Sequence, residues 1–408
     1  VSNPVDRPGL AMIANCMTPY RANLHALIAA AIPELKLHTL ITHGPADFDW
    51  SVNVPESIHA SYLGGPDDSP TASPLHAPLR EWRKGGQLIE YLREHQVRAV
   101  ICMGYRYLSY LRVIGHCHRH HVPLFSRNDS NIKSEVRLSP FKQFVKKWVY
   151  AWWMPRVAGV MSMGEYGDQF FLKYGAVPSR IYRVPYTPDY DLYARVDPVR
   201  LDQLCRQFGL CEGRRYVLYS GRLVAAKRVD LLIEAFAAIA GQRPEWDLLI
   251  VGDGVLRDNL GQLVPEELRQ RVVWTGFLEN SELVAAYHAA DVLVLPSDFE
   301  PWALVIQEAM AAGLAVVASD VVGAARELVE DKVSGRIFPA GDVEALRQAM
   351  LDVTDGASIA AYQRQAPVAL AEWRRRVDPV AEVRRALVDC GVLAADVPSP
   401  RNMCEAKV

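Results

Sequence analysis

Continuous apolar runs ended by Gly, Pro, Ser or Asn alternate along the chain with longer stretches of helical period. Runs with no polar alternation fit strands buried on both faces, and a helix between successive strands makes them parallel. In the first half GLAMIANCM (9–17), LKLHTLITH ending at His43, VRAVICMGY ending at Tyr105, VPLFSR ending at Arg127 and VAGVMSMG ending at Gly164 are predicted strands. ANLHALIAAA, QLIEYLREHQ, YLSYLRVIGHCHRHH and EYGDQFFLKYG are predicted helices, the last closed by Gly175. Residues 44–80, rich in Gly, Pro, Asp and Ser, predict long loops around a short strand. IYRVPYTPDYDLY runs into an irregular segment, and a domain boundary is expected between Pro188 and about Arg200.

The second half is more regular. RYVLYSG (215–221), WDLLIVG ending at Gly252, VVWTG ending at Gly276, DVLVLP ended by Pro296, LAVVAS and SGRIFP are predicted strands. VDLLIEAFAAIA, SELVAAYHAA, a segment starting near Pro301, and DVEALRQAM are predicted helices, and RRRVDPVAEVRRALVDCGVL one final helix. The fold class expected is α/β with two Rossmann-like domains facing across a deep cleft. The expected division is 1–192, 193–370, a terminal helix over 371–395 packing back toward the interdomain crossing, and a flexible tail over 396–408.

Composition narrows the partners. The 408 residues, 50% hydrophobic and 23% charged, suffice for two domains. A net charge of −2 gives no general attraction for nucleic acid. Cys16, Cys102, Cys117, Cys205, Cys211, Cys390 and Cys404 contain no C-x-x-C and read as thiols of a reducing compartment. No run approaches 18 apolar residues and VSNPVDRPGL is no signal peptide, so a cytoplasmic protein without a spanning helix is expected. His116, His118, His120 and His121 crowd a predicted helix terminus, where cations are favoured without any metal. Residues 141–156, FKQFVKKWVYAWWMPR, mix cations with aromatics. They fit either peripheral contact with an anionic membrane face or a lipid-linked acceptor, or a helix that buries its aromatics in the domain. Oligomeric state is not legible.

The carboxyl ends of parallel strands are where open α/β sheets bind ligands. Ser220-Gly221-Arg222 ends one predicted strand, with Lys227 at the next helix start; Gly252 and Asp253 end the next; Glu300 follows DVLVLP, and Glu308 lies one to two turns inside the following helix. Gly221 admits close backbone approach, and a guanidinium with an ammonium at a helix start suits a diphosphate. Each is weak alone, since cations near helix starts are often solvated and a carboxylate there can be a simple helix charge; together they lie on one sheet edge. A nucleoside diphosphate-sugar would use all of them: cations on the leaving diphosphate in place of a metal, Glu300 on the sugar, Glu308 on the ribose diol. In the first half no G-x-G-x-x-G follows the first strand. Tyr20 and Arg21 after that strand, and Asn128 and Asp129 after VPLFSR, are the candidate acceptor-side groups. Arg21 reads equally as an anion contact or a salt bridge, and Asn128-Asp129-Ser130 equally as a turn.

SGRLVAAKR (220–228), IVGDG (250–254), WTGF (274–277), LPSDFEPWALVIQEAMAAGLAVVASD (295–320) and GAARELVEDKVSGRIF (323–338) resemble, in order, the recurring segments of family 4 glycosyltransferases, retaining enzymes of the GT-B fold. Glu300 and Glu308 match that family's E-x7-E motif, and the resemblance covers roughly residues 210–355. It implies that Arg222 and Lys227 bind the donor diphosphate, Glu300 the transferred sugar and Glu308 the ribose. The backbone of Trp302, Ala303, Leu304 and Val305 would lie near sugar and phosphates, and Val273 to Phe277 beside the nucleobase. It implies front-face hexosyl transfer with no cofactor and no metal, from a UDP- or GDP-sugar to a saccharide, lipid-linked saccharide or small-molecule acceptor, as in polysaccharide biosynthesis. The alternatives are an epimerase of the same fold or a non-catalytic sugar-nucleotide-binding protein. Three departures stand out. Thr18-Pro19-Tyr20-Arg21 replaces a Gly-Gly loop; Arg127-Asn128-Asp129-Ser130 lacks the family's histidine, leaving Asp129 as its substitute at the anomeric centre. Glu300-Pro301-Trp302-Ala303 replaces E-G-F-G, which predicts a bulkier donor pocket.

Overall fold

The strands of the first half are β1 (Gly9–Ala14), β2 (Lys36–Ile41), β3 (Ala60–Tyr62), β4 (Val97–Cys102), β5 (Leu124–Arg127), β6 (Gly159–Ser162) and β7 (Ile181–Arg183). Those of the second are β8 (Arg215–Ser220), β9 (Trp246–Val251), β10 (Val272–Gly276), β11 (Val292–Leu295), β12 (Ala315–Ser319) and β13 (Gly335–Phe338). They come from a computed structural model that describes residues 7–44, 52, 54–64, 78–137 and 139–395. Two sheets result, ordered β3-β2-β1-β4-β5-β6-β7 and β10-β9-β8-β11-β12-β13, with parallel pairing throughout. In each, strand order reverses at the first strand, between β1 and β4 and between β8 and β11, which creates the crevice where doubly wound sheets take ligands.

Burial on both faces explains the unalternating strands. Leu10 and Met12 of β1 join one core with Leu24 and Ile28 of helix Pro19–Ala31, while Ala11 and Ile13 join a second core with Val113 and Phe170. The apolar pattern overshoots the ladders because Cys16 and Met17 stay buried in the turn after β1 without pairing.

The chain folds as two units, one made of residues up to Thr187 with the segment from Val377 onward, the other Pro188–Arg376. The divisions thus fall after Thr187 and Arg376, against expectations at 192 and 370. The expected tail, 396–408, lies outside the described residues, as does much of 44–80. IYR, expected to lead into irregular chain, is β7, paired with β6. The expected single terminal helix is two, Ile359–Arg376 and Pro379–Asp389. Pro379 disfavours helix at the residue before it, and Asp378 caps the new start by accepting from the Val380 and Ala381 amides. The first of these helices belongs to the second unit and the other packs on the first, beside helix Pro19–Ala31 and β7.

Candidate functional site

At the switch point of the second sheet, β8 and β11 both deliver loops to the carboxyl edge. Gly221 leaves β8 with its amide bonded to the Val251 carbonyl at 3.0 Å, and the chain then makes a short turn, Ala225–Lys227, before helix Val229–Ile239. The β11 loop is pinned to that turn by the Asp298 amide donating to Ala226 O at 2.9 Å and by Arg228 Nη1 on Asp298 Oδ2 at 3.1 Å. These ties bring Lys227 against Glu300, where the two form an ion pair with side chains 18% and 12% exposed. Arg222 is exposed beside them, its carbonyl accepting from the Tyr219 hydroxyl at 2.9 Å. Arg222, Lys227 and Glu300 thus share one edge.

Gly252 ends β9 at φ 124°, where a Cβ would stand 2.0 Å from Gly221 O; only glycine lets the two strand ends approach so closely. Asp253 is exposed and accepts from the Gly254 amide at 2.7 Å. Val273 to Phe277 close β10, with Trp274 under the Arg257 guanidinium at 3.9 Å and Phe277 exposed.

The Glu300 helix does not begin at Pro301. Residues 300–302 are drawn aside first: the Glu300 carbonyl accepts from the Gly323 amide at 3.3 Å, and the Trp302 carbonyl from Ala324 at 2.7 Å. Ala303 then turns at φ 78°, and the helix runs Leu304–Ala311. Leu304 and Val305 consequently open the helix with amides lacking intrahelical partners, the geometry that receives anions. Trp302 is not the bulk in a donor pocket that the sequence predicts. Its indole is buried, donates to Gln307 Oε1 at 2.8 Å and packs 5.9 Å from Trp373, while Gln307 Nε2 donates to the Tyr190 hydroxyl at 2.6 Å. That side chain is structural, and only its backbone is left for a ligand.

Glu308 lies in the second turn, buried, with the Tyr287 hydroxyl donating to Oε2 at 2.8 Å. Burial lifts its pKa to about 7, against hydrogen bonds from Tyr287 and Tyr193 that favour the carboxylate. Neither tyrosine has a local signal in the sequence: Tyr287 sits in an ordinary apolar helix and Tyr193 in the expected boundary segment. Their shared attachment to Glu308 appears only in three dimensions.

In the first unit the Tyr20 ring packs at a tilt against that of Tyr186, centroids 4.7 Å apart. Arg21 is buried and, among the described residues, forms no salt bridge; its Nη1 donates to Asn15 Oδ1 at 3.0 Å. Asn128 forms an Asx turn, Oδ1 accepting from the Ser130 amide at 3.1 Å, and Asp129 is exposed. Arg127, the last residue of β5, went unassigned. It is buried, Nε donating to Val184 O at 3.0 Å and Nη2 to Pro185 O at 3.2 Å, beneath the Tyr186 ring. An arginine inside a buried strand end was the available signal.

The His116 and His120 rings lie 4.4 Å apart, tilted against each other, at the end of helix Leu108–Arg119. Among the described residues no group of three or more His, Cys, Asp or Glu side chains is placed to hold a metal ion. The cysteines described are free. Helix Pro140–Trp153 buries Tyr150 and Trp153 only; Phe141, Phe144, Trp148 and Trp152 are exposed, so burial of all its aromatics is not the arrangement found.

Residues 202–366 match the family described as glycosyl transferases group 1. Among curated proteins, the chain is 29% identical over 197 residues to the alpha-D-kanosaminyltransferase of Streptomyces kanamyceticus, covering 48% of this chain and 50% of that one. It is 38% identical over 147 residues to the GDP-mannose-dependent alpha-mannosyltransferase of Mycolicibacterium smegmatis, 36% of each chain. A glycosyltransferase of Methanocaldococcus jannaschii described as uncharacterized is 38% identical over 131 residues, 32% of this chain and 33% of that one. The chain therefore spans a third to a half of the length of these relatives. Among solved structures, Anabaena HepE with UDP and glucose superposes with a TM-score of 0.71 at 20% identity, covering 95% of this chain and 100% of that one. Sucrose-phosphate synthase of Thermosynechococcus elongatus gives 0.72 at 21%, covering 96% and 100%. The fold is GT-B, built of two Rossmann-like domains.

Proposed function

We propose that the protein is a retaining family 4 glycosyltransferase. It moves a hexose-type sugar from a UDP- or GDP-linked donor to a hydroxyl of a saccharide, lipid-linked saccharide or small molecule. The observation that carries this reading is the meeting of Lys227 with Glu300 at the switch point, with Glu308 buried a short way along the helix that follows. Lys227 and Glu300 pair with each other. A donor separates them: Lys227 and Arg222 take the diphosphate, the amides of Leu304 and Val305 assist, Glu300 takes the sugar hydroxyls, and Glu308 exchanges a tyrosine hydroxyl for the ribose diol. Gly221, Gly252 and Asp253 line the same edge, the backbone of Trp302 and Ala303 faces it, and Phe277 flanks the base.

The bond between the anomeric carbon and the diphosphate oxygen breaks, leaving positive charge on the sugar and negative charge on the diphosphate. The acceptor oxygen then bonds to the same face and gives its proton to the leaving oxygen. Because the cations are side chains, turnover is expected to persist in EDTA. The first unit is assigned the acceptor, with Tyr20, Asn128 and Asp129 facing it and Arg21 holding their loop; Asp129 stands for the missing histidine at the anomeric centre. A cytoplasmic location and peripheral membrane contact through 141–156 belong to the same reading.

The test is nucleotide release from a panel of UDP-, GDP- and dTDP-sugars with varied acceptors. Turnover with at least one pair is expected, and Lys227→Ala should lower kcat/KM by about 100-fold to 1,000-fold. No turnover with any pair refutes transfer, and donor binding without turnover favours a binding protein.

A further inference from the structure

Helix Pro140–Trp153 is held to its unit by one side. Tyr150 and Trp153 are buried, Tyr150 stacking on Tyr174 at 4.4 Å, and Lys146 donates to Glu135 Oε1 at 2.6 Å. At about 100° per residue these three define the inner face. Phe141, Phe144, Val145, Trp148 and Trp152 fall within an arc of about 100° centred opposite it. Their exposures run from 45% to 74%, which makes a continuous apolar stripe of about three turns rather than scattered surface residues.

Charge decides what covers it. No acidic residue occurs from Ser139 to Arg156. With Lys146 neutralised by Glu135, Lys142 and Lys147 remain exposed, one on each flank of the stripe, and Arg156 lies over the Trp152 ring at 4.5 Å. A second copy of the chain would bring like charges together along the whole contact. A bilayer with anionic headgroups offers the complement on both counts: apolar depth for the aromatics, which settle at the interface, and negative charge for the flanking cations. Ser139 and Pro140 fix the helix start, Ser139 Oγ accepting from the Lys142 amide at 3.4 Å, so the stripe exists before any lipid arrives. Among the described residues no helix is long and apolar enough to cross a membrane.

We infer that helix Pro140–Trp153 is an interfacial docking element for an anionic bilayer, lying in the membrane plane with Phe141, Phe144, Val145, Trp148 and Trp152 in the headgroup boundary and Lys142, Lys147 and Arg156 on the phosphates. This deepens the membrane-contact part of the functional reading, but docking is measured with neither donor nor turnover.

The experiment is co-sedimentation of the full chain with phosphatidylcholine vesicles and with vesicles containing about one third phosphatidylglycerol. Wild type is expected to bind the anionic vesicles at least about tenfold more tightly, less so in high salt. Phe144→Ser/Trp148→Ser and Lys142→Glu/Lys147→Glu should each lose about tenfold or more while keeping the wild-type circular dichroism. Quenching of tryptophan emission by brominated phosphatidylglycerol checks the same point in wild type, without any substitution. The inference is overturned by equal binding to both vesicles, by no binding, by variants that bind like wild type, by unquenched emission, or by a solution dimer that Trp148→Ser dissociates. Nucleotide release with a soluble acceptor, measured alongside, reports on transfer separately.

Discussion

Glu308 is a carboxylic acid in surroundings that favour its neutral form. The unfolded chain ionises this group near 4.5, whereas burial holds the proton to about 7 in the native protein. Stability contributed by the neutral acid is therefore complete below pH 4.5 and is lost as pH rises through 7, a total of about 3 kcal/mol. Glu308→Gln keeps an acceptor for the tyrosine hydroxyl but cannot ionise. It is expected to match wild type near pH 4.5 and exceed it by up to about 3 kcal/mol at pH 8, read from urea unfolding. An equal gain at both pH values would contradict the assignment. If the ribose sits here, the donor KM of wild type should fall as pH rises through 7, because only the carboxylate accepts both diol protons. Ala303 holds the other costly conformation of this segment. At φ 78° it occupies a region that costs an L-residue about 1 to 2 kcal/mol, part of which glycine gives back in unfolded-chain entropy. Ala303→Gly should stabilise the second unit by about 0.5 to 1 kcal/mol in thermal unfolding, and a loss of stability would mean that the methyl group packs.

Arg127 is to β5 and the segment after β7 what the Lys227 turn is to the β11 loop: a tie between elements that do not pair. Arg127→Met removes the side-chain donor to the Val184 carbonyl and leaves the Pro185 carbonyl only the Thr187 hydroxyl at 3.4 Å, and should cost about 1 to 3 kcal/mol in urea unfolding. A change within about 0.5 kcal/mol would show that water replaces it. Such ties are not carried by local sequence pattern. Strands buried on both faces announce themselves as unbroken apolar runs, and loops at their carboxyl ends follow from parallel pairing, so Lys227, Glu300 and Glu308 could be placed on one edge from order alone. The direction in which a side chain points after a loop has turned is not written in local pattern. Trp302 goes inward because Gly323 and Ala324 pull its backbone across, an interaction with chain some 20 residues on. Arg21 goes inward because Asn15 and Cys16 receive it. β7 carries no local signal because three residues are too few to show a period, and it exists by pairing with β6.

At the scale of the whole molecule, the two units differ in how the chain builds them. Pro188–Arg376 is continuous and contains its own six-stranded sheet. The first unit is completed only after the second has been made, by helix Pro379–Asp389. Val383, Ala386 and Leu387 of that helix are fully buried in the core that holds Leu10 and Leu24. Around them Arg384 pairs with Glu34 at 2.5 Å, and the Tyr182 hydroxyl donates to Asp389 at 2.9 Å. Burying a valine, a leucine and an alanine side chain contributes about 4 to 6 kcal/mol, comparable with the whole stability of a marginal domain. A fragment 188–376 should therefore unfold cooperatively on its own and, if the donor reading holds, bind UDP or GDP by calorimetry. A fragment ending at 370 loses Trp373, which packs on Trp302, and should be less stable by about 3 to 5 kcal/mol. Residues 1–187 alone should lack a cooperative transition, and fusing residues 377–395 to them through a flexible linker should restore it. A cooperative 1–187 fragment, as stable as its fused form, would show that the returning helix decorates the first core rather than completing it.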